Sequence, residues 1–405
     1  MNVATPTRRQ YVQAAVAGLS LSALPVASAE PSNGQLVFVY DDGPVSDYTK
    51  AFPVHQEENA PACVGAVANI VEADDEGLSR AQLLEMQDAG WEVMSHTLDH
   101  RAVGPVTITE DVAAGDERVY VGRNIHGWYP GDTIVITDGD KEEVATVVDG
   151  KEDERGDYLV LEDPVEQSYA VEDGAYERLT DDILEAATKG SKERLEAMGF
   201  EIDNFVFPFG RRGPAVMELV EEHYSGVANY DYEGLNPGED VDPYRVGRSY
   251  YREERMSKAE ITTFLDTVQR EGMLGMFAGH NYQEDLTQER IRFAIRQAQQ
   301  RGIEIVTLRE AFRDRGLLSE ESSEPPTTQP TTQPPTTQPT TQPPTTQPTT
   351  QPPTTQPTTQ PPTTQTSTAR SSPAPQSSPT PVSSSDDRSN SGFLGGLMRW
   401  LFSVF

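Results

Sequence analysis

Two short stretches hold residue types able to do metal chemistry together. Phe38-Val39-Tyr40-Asp41-Asp42-Gly43-Pro44 is an apolar run, Leu36 to Tyr40, that ends in two acids and a Gly-Pro turn. It reads as a buried strand delivering carboxylates to a loop. Trp91 to Met94 is a second apolar run, and Ser95-His96-Thr97-Leu98-Asp99-His100 after it carries two histidines four apart. If the chain turns helical at His96, that spacing stacks both imidazoles on one face. One carboxylate and two imidazoles make a three-ligand divalent site with a position left for water. The second aspartate is then free to act as a base, and the chemistry is metal-assisted hydrolysis. Asp-Asp-Gly alone is commonly a turn, and a histidine pair alone commonly decorates a surface. Both motifs fall at the ends of apolar strands in a chain with only 6 histidines, which favours the joint reading.

The elements around them alternate. Strands are predicted at 36–40, 62–66, 92–95, 204–207, 226–228, 273–278 and 304–307, with helices at 79–89, 180–198, 214–223, 257–271 and 287–301. Parallel-type apolar strands between helices make an α/β barrel or open sheet. Residues 102–178 interrupt the alternation. Short β-branched runs at 118–121, 133–137, 143–148 and 158–161, punctuated by Pro130-Gly131-Asp132, Asp138-Gly139-Asp140 and Asp149-Gly150, predict a small all-β module. The module leaves the chain just after His100, on a strand-to-helix loop, so we expect it to overhang the catalytic face. Trp128 and Tyr129 are assigned to its core in preference to a sugar-stacking surface. His126 is read as a turn residue, His55 as solvent-facing helix and His223 as a helix end. Cys63 is expected to be a buried strand residue.

These motifs are similar to those of the polysaccharide deacetylase family, the NodB-homology or carbohydrate esterase family 4 group. Tyr40-Asp41-Asp42-Gly43 resembles its first motif and His96 to His100 its second, while Phe207-Pro208-Phe209-Gly210 resembles the third and Ala278-Gly279-His280 the last. The resemblance covers residues 34–101 and 179–317, a discontinuous domain. It implies a distorted (β/α)7-type barrel with its metal at the carboxyl ends of the strands. It further implies Asp42, His96 and His100 as ligands, Asp41 as general base, His280 as general acid, and a substrate and oxyanion side formed by Phe207, Pro208, Phe209 and Gly210. Many relatives place an arginine where this chain has Val206, so the arginine that holds the base must come from elsewhere. Arg248 is our candidate and Arg245 its rival. The implied cofactor is a divalent metal, zinc first, with cobalt, nickel or manganese also compatible with the donor set. The implied substrate is an acetylated polysaccharide losing N-acetyl or O-acetyl groups. The competing readings are a non-catalytic glycan-binding surface glycoprotein on the same fold, and a related amidase of small linear amides.

The 405 residues carry 65 acids against 32 Lys and Arg, a formal charge of −33. Acids spread through every folded segment fit a protein kept soluble in concentrated salt, where screening removes self-repulsion, and we read a halophile's protein of haloarchaeal type. A nucleic-acid partner is disfavoured, because the phosphate term would be repulsive. Thr7-Arg8-Arg9 before an apolar stretch and Ala27-Ser28-Ala29 reads as a twin-arginine signal over 1–29, hence secretion. Residues 318–391, with repeated Pro-Thr-Thr-Gln, are expected to form a disordered stalk. The hydrophobic tail 392–405 is too short to span a bilayer and fits a membrane-surface contact, tethering the enzyme at or near the cell surface. Oligomeric state is not legible.

Overall fold

The computed structural model describes residues 34–73 and 76–318. The signal, the stalk beyond Leu318 and the hydrophobic tail lie outside the described residues. Strand β1 (Gln35–Tyr40) leads through a π-helical turn, Asp47–Ala51, into helix α1 (Phe52–Glu57), then β2 (Cys63–Ala66), α2 (Arg80–Asp88) and β3 (Glu92–Ser95). Ser79 caps α2, its hydroxyl accepting from the Gln82 amide while the Gln82 side chain returns to the Ser79 amide. β1, β2 and β3 pair in parallel, with Val39 opposite Cys63 and Val64 opposite Val93.

The interruption is a β module, with six strands in place of the four expected: β4 (Val106–Thr107), β5 (Arg118–Tyr120), β6 (Thr133–Thr137), β7 (Glu142–Asp153), β8 (Gly156–Leu161) and β9 (Tyr176–Leu179). All pairings are antiparallel, in the order β4-β9-β6-β7-β8-β5. The two edges meet where Thr109 N donates to Tyr120 O and Gly122 N to Thr107 O, both at 2.9 Å. That bridge leaves neither edge bare. β4 is too short to show in the sequence, and in β9 Tyr-Glu-Arg-Leu hides a buried Glu177.

The predicted helix over 180–198 is two helices, α3 (Asp181–Ala187) and α4 (Lys189–Ala197), broken at Thr188. The break has a cause. The Ala187 carbonyl, which a continuous helix would use internally, accepts from Leu98 N of the histidine segment at 3.0 Å. The chain then runs β10 (Asn204–Phe205), α5 (Pro214–His223), β11 (Gly226–Val227), β12 (Leu235–Asn236), β13 (Ser249–Tyr250), α6 (Lys258–Glu271), β14 (Leu274–Gly279), α7 (Gln288–Gln299), β15 (Glu304–Ile305) and α8 (Leu308–Asp314). These strands extend the parallel sheet to β11-β10-β3-β2-β1-β14, with β13 and β15 parallel beside β14 and β1 and only β12 antiparallel. The result is the distorted, curled barrel of alternating strands and helices. Among the described residues no helix is long and apolar enough to cross a membrane.

Strand parity decides what the barrel holds. Successive side chains of β1 face opposite ways. Leu36, Phe38 and Tyr40 pack outward into the helical layer, whereas Val37 and Val39 join Met94, Val206, Val246 and Met276 inside. Both faces are buried, as a parallel sheet requires. Extending that inner phase past each strand end reaches Asp41, His96, Arg248 and His280. Four segments far apart in sequence thus aim polar groups over one apolar interior.

Candidate active site

The two aspartates follow β1 directly, and Asp42 takes φ 75. His96 follows β3. The chain does not turn helical at His96: Thr97 (φ 65) and His100 (φ 63) are left-handed, and the segment is an irregular loop. The loop is held from outside, since Ala68 N and Asn69 N donate to the carbonyls of Thr97 and Leu98 at 3.1 and 2.9 Å. The imidazoles still converge, with ring centroids 4.9 Å apart. Among the described residues the non-glycine positions with positive φ are Asp42, Asn59, Glu72, Thr97, His100 and Phe209. Four of these belong to the site, where surrounding structure must over-determine the backbone.

Asp42 Oδ1 lies 3.1 Å from His96 Nε2 and 3.0 Å from His100 Nε2. All three residues are buried, and they form the cation-ligand cluster found among the described residues. The donor set can be tested for fit. His96 Nδ1 donates to the Val206 carbonyl at 2.9 Å, which fixes the proton there and leaves Nε2 a bare lone pair. Burial holds His100 below the usual histidine range despite the pull of Asp42. His100 Nε2 points at the same Asp42 oxygen and its Nδ1 has no hydrogen-bond partner among the described residues, so its proton can move to Nδ1 and leave Nε2 to face a cation. The Asp42 carboxyl stays ionised, because the histidines outweigh its burial and hold it well below the usual range. Tetrahedral arms of about 2.0–2.2 Å put ligand atoms roughly 3.3–3.5 Å apart, within a few tenths of what is seen. The residues fit a divalent cation.

Asp41 is buried beside this cluster, gripped at both oxygens by Arg248: Nη1 donates to Oδ1 at 2.8 Å and Nη2 to Oδ2. Burial alone would raise the Asp41 carboxyl, but Arg248, with His96 and His280, holds it below the usual range. Arg248 is itself 1% exposed. The rival Arg245 falls out of inner phase with Val246 and stays exposed, 3.3 Å from Asp242. His280 Nε2 lies 3.7 Å from a carboxylate oxygen of each aspartate, with its ring stacked on Tyr250 at 5.6 Å. Gly65 on β2 floors the group: a Cβ there would stand 3.5 Å from His96 Cβ and 3.6 Å from Asp41 Oδ1, so any branched side chain would intrude.

The third motif divides. Phe207 and Pro208 are buried, Phe207 against Phe205 at 5.0 Å. Its backbone is clamped by Asn229, whose side chain exchanges two 2.8 Å bonds with the Phe207 amide and carbonyl. Phe209 reaches the site, 4.7 Å from the His100 ring, and Gly210 adjoins Tyr232. Above the cluster opens a cavity of about 640 Å³ lined by Asp41, Asp42, His96, His100, Phe209 and His280, with Tyr232, Tyr250, Arg123 and Arg255 at its walls. Burial pushes the Tyr250 hydroxyl up to about 12, and Tyr282, whose hydroxyl donates to Asp42 Oδ2 at 3.3 Å, is also raised. The sequence reading missed Tyr250 and Tyr282, although each stands two residues after a chosen one, on the same face.

Of the other histidines, His55 needs correction and His126 gains a partner. His55 is fully buried; Nδ1 donates to the Ala60 carbonyl at 3.0 Å and Nε2 accepts from Tyr40, which meets Tyr251 at 2.8 Å. Its helix turns inward against Trp91, so it does not face solvent. His126 does sit in a turn, as expected, but not an idle one. It is buried in a 3-10 turn, Ile125–Trp128, bonding Glu177 at 2.7 Å through Nδ1 and the Ala102 carbonyl at 2.9 Å through Nε2. Tyr129 is core, but its hydroxyl donates to the Asp99 carbonyl between the two ligand histidines at 2.7 Å. Trp128 is half-buried, 5.6 Å from Phe209. The module therefore braces the ligand loop as well as flanking the cavity. His223 ends α5 and Cys63 is a buried strand residue, both as expected.

Solved structures similar to this chain include a family 4 acetyl xylan esterase from Clostridium thermocellum with a cobalt ion (14% identity, 70% of this chain and 92% of that one, TM-score 0.39). A Bacillus subtilis peptidoglycan deacetylase (11%, 71% and 95%, 0.38) and a Streptomyces lividans family 4 carbohydrate esterase (10%, 67% and 91%, 0.37) are others. No curated protein matches the chain. Residues 28–118, which carry both aspartates and both ligand histidines, match the family model of the polysaccharide deacetylases.

Proposed function

We propose that the protein is a metal-dependent hydrolase that removes N-acetyl groups from an extracellular or cell-surface polysaccharide. The observation that carries this reading is the pairing of Asp41, held at both oxygens by buried Arg248, with the Asp42–His96–His100 cluster beside it. Those three residues would hold the cation, zinc by donor type, with cobalt, nickel and manganese compatible. When bound, it supplies Lewis-acid polarisation of the acyl carbonyl and acidifies a water towards ~7.

The rest of the chemistry belongs to the chain. Asp41, kept ionised, takes the proton of the attacking water at a carboxylate oxygen, and Arg248 fixes the orientation of that base. The water oxygen bonds the acetyl carbon and the carbon–nitrogen bond breaks. His280, facing both aspartates from across the cavity, returns a proton to the leaving amine, giving acetate and a free amino sugar. A glycan-binding module would have no use for a base, its arginine, a ligand set and an acid converging on one point. The twin-arginine and surface-attachment readings extend this proposal to a secreted enzyme tethered near its substrate.

Acetate release from acetylated glycans at molar salt tests it, with and without chelator, comparing the full chain with Asp41→Asn. Release should fall with either treatment and return on adding zinc or cobalt to the chelated wild type. Release indifferent to both treatments removes the proposal.

A further inference from the structure

We infer that the cavity takes an anionic glycan, one with a uronate carboxylate or sulfate ester close to the acetylated sugar, gripped by Arg123, Arg211, Arg212 and Arg255. This rests on the deacetylase reading and names its substrate class.

With 65 acids against 32 basic residues, an arginine in this chain should seldom lack a carboxylate. Eleven of the 21 described arginines pair with one, as Arg292 and Arg296 do with Glu58 and Arg309 with Glu201 and Asp203. The four arginines named are among the ten that make no ion pair, and unlike Arg80, Arg118, Arg194, Arg290, Arg313 and Arg315 they gather in one place. Arg123 and Arg255 line the catalytic cavity. Arg211 and Arg212 line an adjoining hollow of about 600 Å³ on the other side of Gly210.

Neighbouring charges do not neutralise them. Asp41 and Asp42 are committed to Arg248 and the ligand cluster. Glu177 is bonded to His126, Arg245 answers Asp242, and Arg252 already holds Glu254 and Asp285. Glu221 is the remaining acid on the hollow's wall. Burial first and then the like charge of Arg123 hold Arg211 below the usual arginine range, outweighing the pull of Glu177. Like charges held together without a counter-charge are costly unless a ligand supplies one.

The guanidinium groups are also presented for binding. Arg123 lies over Trp128 and Phe209 at 5.4 and 5.6 Å, and Arg212 over Tyr230 at 3.9 Å. Aromatic faces support the cation's plane and leave its N–H edge free for a planar anion. Only short contacts would serve in molar salt, where the Debye length is about 3 Å. A fork-shaped, charge-assisted contact meets that condition.

The test is calorimetric titration of the full chain carrying Asp41→Asn, which keeps ligands intact during binding. Three probes share a backbone: an oligosaccharide alternating N-acetylglucosamine and glucuronate, its carboxyl-reduced neutral form, and a sulfated form of the latter. At least one charged probe should bind about tenfold or more tightly than the neutral one, and the tighter of the two tells carboxylate from sulfate. Adding R123Q with R211Q, or the exposed R255Q alone, should shrink that preference, whereas R313Q on the distant α8 removes the same single charge as R255Q and should not. Equal binding of all three probes, or a preference untouched by R123Q/R211Q and by R255Q, overturns the inference. Acetate release by wild type without any charge preference would sink this inference alone. A charge preference without acetate release from any glycan would sink the hydrolase reading and leave the anion site standing.

Discussion

The floor of the cavity is made from strand ends and its rim from turns, and the two are held by different means. On the floor, Asp41, Asp42, His96, His100 and Arg248 are each at most 4% exposed, and each continues the phase of a parallel strand or is bonded to one that does. At the rim, Phe209, Tyr232, Arg123 and Arg255 come from loops and from the β module and are half-buried or exposed, with Arg123 and Trp128 leaning on the Phe209 ring. A buried carboxylate or imidazole must be matched to its neighbours or it unfolds the site. A rim side chain can change without that cost. The floor should therefore fix the reaction and the rim the substrate.

The largest expected effect breaks that contrast if it fails. Asp41→Asn should lower kcat by about 10²–10⁴ while cation affinity, measured by metal titration, stays near that of wild type. Substitutions at Phe209 or Tyr232 should act mainly on KM. A rim variant that abolishes turnover on a small acetylated sugar, with an Asp41→Asn variant that alters only KM, would invert the assignment.

Stability should separate the regions next. Arg248→Met leaves the buried Asp41 carboxylate unpaired, and breaking a buried pair from one side costs about 3–5 kcal/mol. Chemical denaturation at fixed salt should show that loss, and no measurable change for Arg255→Gln. Comparable values for both would mean that the Arg248–Asp41 contact is no more consequential than a surface charge.

The same contrast explains what the sequence disclosed. β1 and β14 are largely apolar runs and β3 centres on Val93-Met94, and parity alone carries them to Asp41, His96 and His280. Parity would also have chosen Arg248 over Arg245, since Val246 is inward and Arg248 follows in phase. The spacing by four from His96 to His100 is compatible with a helix as well as with the loop found; nothing in Thr97-Leu98-Asp99 announces two left-handed residues. The break at Thr188 was equally hidden, as it depends on Leu98 taking the Ala187 carbonyl. His55 and His126 looked idle because their partners, Tyr40 and Glu177, lie 15 and 51 residues away. The rim stayed illegible for a related reason: it exists only once a six-stranded module is docked beside the barrel.

The module offers a test through pH. Burial would lower His126, but Glu177 outweighs it and the imidazole is raised above the ordinary ~6.5. The folded state then binds the proton more tightly than the unfolded one. The charged pair stabilises in full below the unfolded value, and its contribution is lost as pH rises through the raised folded value. Glu177→Gln should therefore cost most stability on the acid side, with the gap to wild type closing as the solution becomes alkaline. A gap that is flat across that range would show that the pair is not charged when folded.

The smallest effect probes how far floor and rim are independent. Tyr129 belongs to the module, yet its hydroxyl holds the Asp99 carbonyl between the two ligand histidines. Tyr129→Phe removes one hydrogen bond without creating a cavity, for a loss of about 1 kcal/mol. If the module braces the ligand loop, the same variant should weaken zinc binding in a metal titration, although it touches no ligand. His100 would be the more affected partner, because its Nδ1 has no hydrogen bond to steady the ring, whereas His96 is fixed by the Val206 carbonyl. Lower stability with unaltered zinc affinity would mean that the barrel alone sets the ligand geometry and the module merely rests on it.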